Sequence, residues 1–415
     1  MFFRMASEKT AGSRYAWLVV GFLWFAFLLN YVDRQAVFSL YPSFQRDLGF
    51  SGRELGLIGS VFLWVYSLCS IPAGRLADRL PRRALVIACL FIWSLAMVGT
   101  AASHSVNGFL FFRGLMGLSE AVYLPASVAI IAALHQNSTR SSALATHQTA
   151  QMMGIVLGGW SVAWLADRVG WRPSFEALAV VGIAYAPLLW LAMRKLPPGR
   201  APAPQTVQWT SIFLSRTYIA LAITFTAYCV TLWILYAWFP IHLYDRFHLS
   251  QSQSGLAATL YLQISTMIGV ITWGFVADRL ARRTRAARFL VLGGGVFFAS
   301  PFAYLCFSIE SLDWVKAASI GFGFFAGALH SNIAAVCLDV APENYGAAVG
   351  TLNLVGGLGG GLGVLLTGLY RESIGVASLV GYCCLASMLA SCCMLFLLRI
   401  YLPREFRTGA PTGRF

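Results

Sequence analysis

The sequence predicts an all-α membrane protein with twelve transmembrane helices, and three observations carry that expectation. First, 58% of the 415 residues are hydrophobic and only 11% are charged, whereas soluble domains carry about 25% charged residues. Second, apolar runs long enough to cross the hydrocarbon, about 20 residues each, recur twelve times. Third, a charged loop appears twice, 200 residues apart.

The spans fall at 15–38, 54–77, 84–103, 107–133, 142–166, 174–194, 216–241, 252–277, 286–308, 313–337, 345–370 and 374–400. The segment before the first is charged and lacks a short apolar core followed by a small-residue cleavage site, so the first run is expected to be retained as a helix. The longest polar interruption, RKLPPGRAPAPQTVQW at 194–209, is proline-rich and lies mid-chain. It divides the protein into a first six-helix half (1–194), a linker (195–215) and a second six-helix half (216–415).

The net charge of +14 does not indicate nucleic-acid binding, which needs Lys and Arg gathered on one face. Here they sit in short segments between apolar runs. With the N-terminus on the cytoplasmic side, 21 of the 30 Lys and Arg fall in cytoplasmic segments, 7 in outer loops, and Arg34 and Arg113 within spans. That bias predicts cytoplasmic termini and, for a bacterial protein, the inner membrane. All nine cysteines lie in apolar runs and pair with no histidine in a metal-binding spacing, so they read as packing residues.

The doubled loop reads GRLADRLPRR at 74–83 and GFVADRLARR at 274–283. Gly74, Asp78, Arg79, Arg82 and Arg83 thus match Gly274, Asp278, Arg279, Arg282 and Arg283, and the halves read as structural copies. An aspartate at a helix end beside clustered arginines can form charge-assisted bonds in one conformation and lose them in another. Plain topology accounts for the arginines but not for Asp78 and Asp278. Two six-helix halves with this loop resemble major facilitator transporters, a fold with a central cavity.

Of the 16 acidic residues, only Asp33 and Glu120 lie deep in spans. Each has an arginine in its span: Asp33 is followed by Arg34, and Glu120 stands seven residues, about two helical turns, after Arg113. Charges at such depth cost several kcal/mol and signal function by default. Arginine keeps its charge, whereas a carboxylate withdrawn from water can take up a proton. The acids therefore read as proton carriers and the arginines as anion sites. The alternative is a structural ion-pair network without a transport role, although apolar replacements often cost less.

Polar residues on other spans complete the candidate cavity: Tyr31, Tyr66, His147, Gln148, Gln151, Tyr228, Tyr236, Gln263, His330, Asn332 and Asn353. Their hydroxyls and amides suit a hydroxylated carboxylate, though each equally suits a bond to a neighbouring helix. The run GGLGGGLG at 356–363 follows no strand and carries no G-K-[ST], so it reads as close helix packing rather than a nucleotide loop. No catalytic triad, zinc signature, cofactor fingerprint or ATPase domain is recognisable. The expectation is a transporter rather than an enzyme, without cofactor or metal, drawing on an ion gradient and acting as a monomer.

The stretches NYVDR (30–34), SIPAGRLADR (70–79), RGLMGLSEAVYLPA (113–126), GWRPSF (170–175) and GAAVGTLNLVGGLGG (346–360) together resemble the anion:cation symporter family of the major facilitator superfamily. That family carries sugar acids with protons in bacteria and includes the lysosomal sialic acid transporter of animals. The resemblance implies protonation at Asp33 and Glu120, a substrate carboxylate on Arg34, and Arg113 as partner of the acids. It further implies that Tyr31, Tyr66, Gln151 and Asn353 hold the substrate, and that the doubled loops brace the halves when the cytoplasmic side is closed. The chain departs from the pattern at Pro81 and Ala281, where glycine is usual, and in THQTAQ (146–151), where small residues are commoner. RGLMGLSEAVY (113–123) is also similar to the matching run of Spinster-type transporters of lysophospholipid or sphingosine phosphate. The reading is a proton-coupled carrier of a small organic anion, the alternatives being a lipid carrier and a non-transporting solute sensor.

Overall fold

The computed structural model describes residues 2–135, 139–196, 215–284 and 286–405, with the side chains of 2–13, Arg75, Asp78 and 400–405 not described. Most of the 195–215 linker therefore lies outside the described residues. Thirteen α-helices and no strand occur among them: α1 (Phe2–Ser39), α2 (Tyr41–Leu48), α3 (Gly52–Arg79), α4 (Arg82–Ala102), α5 (Val106–Leu134), α6 (Arg140–Val169), α7 (Trp171–Ala192), α8 (Arg216–Phe247), α9 (Gln251–Ala281), α10 (Ala287–Ser308), α11 (Leu312–Val340), α12 (Tyr345–Tyr370) and α13 (Val376–Glu405). Twelve are long and apolar enough to cross a membrane, which matches the sequence expectation and makes this a multi-pass membrane protein.

Helix α2 was not expected from the sequence. It forms where the chain leaves α1, begins with Pro42 in its first turn, and closes on Gly49 at φ 66°. Burial explains it: Phe44 packs on Phe109, Trp171 and Phe175, Tyr41 packs on Phe38 and Trp238, and the Tyr41 hydroxyl donates to the Leu55 carbonyl at 2.8 Å. Helix α3 then starts on a capping box in which Ser51 and Glu54 satisfy each other's backbone N–H groups.

The described residues fall into two compact units, those within 1–204 and 236–259, and those within 205–235 and 260–415. In the first unit α1 packs on α6, α3 on α5, and α4 on both α5 and α7. In the second, α10 packs on α11 and α13. The third span thus meets the fourth and sixth, and the ninth meets the tenth and twelfth.

Residues 236–259 join the first unit through polar contacts. Gln35 Nε2 donates to the Tyr236 carbonyl at 3.2 Å, and Ser43 Oγ donates to Gln251 Oε1 at 2.9 Å. The Asp167 carboxylate accepts from Gln251 Nε2 at 3.3 Å and from the Ser252 backbone N–H at 3.0 Å. A carboxylate placed there meets the positive end of the α9 dipole.

The α1–α6 contact positions the site and depends on glycine. Gly154 and Gly158 lie one turn apart, and a Cβ at either would fall 2.7 Å from the Leu28 carbonyl oxygen or 2.6 Å from that of Val32. This is the small-residue spacing that lets membrane helices approach backbone to backbone. In the second unit the 356–363 glycine run performs the expected packing: Gly356, Gly359, Gly360 and Gly363 press on Phe225, Thr226, Trp233 and Val230 of α8.

The nine cysteines are free thiols. Five are buried, while Cys392 and Cys393 are exposed on α13.

Substitution of Gly158 by valine is expected to destabilise the protein by about 1–3 kcal/mol through overpacking. Gly21→Ala, at a position with nothing within 4 Å of the added methyl, is expected to leave thermal melting in detergent unchanged or slightly raised.

Candidate functional site

The site is built on α1, α3 and α5 of the first unit. On α1, Asn30, Asp33 and Arg34 stand at i, i+3 and i+4, so they share one face. All three are buried. Opposite them α5 presents Arg113 and Glu120, which are buried as well.

Arg34 Nη2 and Glu120 Oε2 form an ion pair at 2.8 Å, with side chains only 6% and 0% exposed. Asn30 Oδ1 accepts a longer bond from the same Nη2 at 3.4 Å. Three rings enclose the guanidinium, with centroids 4.5 Å (Tyr31), 4.8 Å (Phe62) and 4.7 Å (Tyr66) from its carbon. Such a cage stabilises the cation through the ring quadrupoles and leaves its in-plane N–H groups for anions.

Arg113 makes no ion pair among the described residues. Its Nε donates to the Ile58 carbonyl at 3.5 Å, and its guanidinium packs 4.4 Å from the Phe62 centroid. Phe62 therefore touches both arginines. The resemblance gives the acid-partner role to Arg113, but the structure pairs Glu120 with Arg34. Seven residues put Arg113 and Glu120 two turns apart on α5, too far along the axis for a direct bond, whereas α1 brings Arg34 to the level of Glu120.

Asp33 is in electrostatic reach of Glu120 and Arg113 but forms no salt bridge among the described residues. Among the described residues, Asp33 Oδ1, Arg34 Nε and Arg113 Nη2 find no hydrogen-bond partner. Buried polar groups rarely stay unpaired. This concentration of unmet donors and acceptors marks a place for a polar guest or ordered water.

The remaining predicted residues divide. Tyr31 and Tyr66 belong to the cage, and Gln151 is half-buried on the α6 face that carries Gly154 and Gly158. His147 on that face is buried and stacks on Phe27 at 4.6 Å.

In the second unit, His330 is exposed midway along α11 and bonds the buried Tyr228 hydroxyl at 3.2 Å. Asn353 is exposed on α12. Asn332 is committed elsewhere: it is buried and its Nδ2 donates to Ala328 O and Ser331 Oγ, both at 2.9 Å.

The doubled loops also differ from expectation in their partners. Arg83 donates to the Trp190 carbonyl at 2.8 Å and stacks on its indole, and Arg82 donates to the Ala77 carbonyl at 3.4 Å. Asp278 meets Arg288 at 3.9 Å rather than the loop's own arginines, and Arg288 also pairs with Asp339 at 3.2 Å. The Asp78 side chain lies outside the described residues.

Sequence reasoning missed Asn30 and Phe62. Asn30 was within reach, since it stands one helical turn before Arg34 on the same face. Phe62 carried no signal of its own among many apolar positions. No cluster of metal-ligating side chains occurs among the described residues.

A family model of the Major Facilitator Superfamily matches residues 23–364 and 221–411. The chain belongs to the Major Facilitator Superfamily. It is a membrane transporter and not an enzyme. It is 23% identical to the D-galactonate transporter of Escherichia coli O6:H1 over 91% of its length and 93% of that protein's. It is 27% identical to the hexuronate transporter of Bacillus subtilis, covering 95% and 96% of the two chains. Its fold matches the inward-facing, occupied crystal structure of a bacterial Spinster homologue with a TM-score of 0.81 at 19% identity, covering 94% and 98% of the two chains. That last likeness is one of fold.

Glu120→Ala leaves a caged, buried cation without its anion and is expected to cost about 3–5 kcal/mol, with the Arg34→Met/Glu120→Met pair regaining most of it. Asp33→Asn, which replaces an unpaired buried carboxyl with a neutral amide of the same shape, is expected to hold or raise the melting temperature. Thermal melting of the purified variants in detergent checks both.

Proposed function

We propose that this protein is a secondary active transporter that carries a small organic anion, a sugar acid or similar carboxylate, together with protons by alternating access. The observation that carries the reading is the buried Arg34–Glu120 pair. Glu120 occupies the guanidinium as a substrate carboxylate would, so the two compete for one cation. Protonation of Glu120 removes its charge and frees Arg34, which then offers a planar fork of donors to the incoming carboxylate. Return of the proton to the other side restores the pair and expels the substrate. Asp33, unpaired beside Glu120 and Arg113, is the second proton site in this scheme.

The unmatched polar atoms around the pair support a hydroxylated guest, with Tyr31, Tyr66, Gln151 and Arg113 as its contacts in the first unit. His330 and Asn353 are the contacts proposed for the second. The similarity to transporters of galactonate and hexuronate, over nearly the full length of each, favours sugar acids. The doubled loops at 74–83 and 274–283 are proposed to act in gating, and the six-helix halves 1–194 and 216–415 as the moving bodies. The Lys and Arg distribution supports cytoplasmic termini in an inner membrane, and a monomer suffices for the cycle.

Uptake into proteoliposomes against a panel of hexonates, hexuronates and aldarates tests the proposal. An inward proton gradient is expected to drive accumulation by the native protein. Asp33→Asn and Glu120→Gln are expected to abolish that accumulation while part of the substrate exchange survives. The same pH dependence of uptake in both variants as in the native protein would overturn the assignment, and binding without accumulation would indicate a sensor.

A further inference from the structure

The α6/α7 hairpin carries a groove of about 370 Å³ that the transport cycle does not use. Trp160, Trp164 and Leu165 of α6 face Ala177, Leu178 and Val181 of α7 across it. Its two polar lining residues are already satisfied: Ser161 Oγ donates to the Leu157 carbonyl at 2.7 Å, and Ser174 Oγ donates to that of Gly170 at 2.8 Å. The surface left is hydrocarbon-like. Trp160, Trp164 and Val181 are all exposed along it, on two helices that are both long and apolar enough to cross a membrane.

One end of this groove is charged. The Arg168 guanidinium stacks on the Trp164 ring, 3.9 Å from its centroid, close to where α6 ends at Val169 and α7 begins at Trp171. At about 100° per residue, Arg168 falls near the middle of the α6 face that lines the groove. Arg168 is exposed and forms no salt bridge among the described residues. The neighbouring charges are all accounted for. Asp167 is turned to Gln251 and Ser252. Arg172 is bonded to the Ala101 and Ser103 carbonyls and stacked on Trp171. Glu176 lies about 150° around α7 from the lining face.

We infer that this groove is a binding site for an anionic phospholipid, whose acyl chain lies between α6 and α7 and whose phosphate is held by Arg168. An apolar slot of this size suits a hydrocarbon chain, and a cation at its interfacial end selects a negative headgroup over a zwitterionic one. Trp164 serves both parts, as a wall of the slot and as the platform that holds the guanidinium at its mouth.

Native mass spectrometry of the purified full chain, supplemented with equal phosphatidylglycerol and phosphatidylcholine of the same acyl chains, tests the inference. The native protein is expected to retain phosphatidylglycerol with about fivefold preference, the effect of one basic side chain at an anionic membrane surface. Arg168→Gln is expected to lose that preference, and Val181→Trp, which fills the slot, to lose adducts of both lipids. Arg53→Gln, an exposed arginine elsewhere, is expected to keep the preference. Equal retention of the two lipids by the native protein, or an unchanged preference in Arg168→Gln, would overturn the inference.

Discussion

The first unit is organised around one ion pair that is almost wholly buried. Arg34 and Glu120 meet at 2.8 Å with 6% and 0% of their side chains exposed, and a cation at such depth persists only if its surroundings replace hydration. Three aromatic rings and Asn30 supply part of that replacement, and Glu120 supplies the counter-charge. Much of the rest of the unit can be understood from this demand. Glycines let α1 and α6 approach closely beside Tyr31, and Phe62 of α3 is shared by both arginines.

Such an arrangement is poor for stability and useful for switching. A buried pair recovers by attraction roughly what it costs to desolvate, so a small change at one partner redirects the other. On the proposed cycle, one proton on Glu120 is that change. The aromatic cage then has a role beyond packing: it keeps the guanidinium in place while its anion is exchanged. This explains why two tyrosines read from sequence as substrate contacts are found against Arg34 itself, where they can both hold the cation and reach what binds to it.

Much of this was legible in the sequence, for identifiable reasons. Transmembrane spans announce themselves by length and apolarity, and Asp33 and Glu120 stood out because acids are so costly at depth. The glycine run at 356–363 was correctly read as packing. What could not be read was partnership across helices. Residues 34 and 120 are 86 apart in sequence, and only the family resemblance, not the two-turn spacing within α5, named a partner for Glu120. Likewise Asn332 gave no sign that its own helix would engage it, and α2 formed because an aromatic cluster buried it rather than from local propensity. The Gly154/Gly158 spacing and Asn30 were visible in principle, since each follows from helical periodicity alone.

The central claim is that a substrate carboxylate and a proton exchange places with the Arg34–Glu120 bond. Proton uptake on binding measures it directly: a weakly buffered, detergent-solubilised protein is mixed with the sugar acid it binds best, and a pH indicator follows the solution. The account predicts that the native protein takes up protons as the ligand binds, and that Glu120→Gln binds the ligand with that uptake reduced. Ligand binding by the native protein with no proton uptake across the pH range of transport would contradict it.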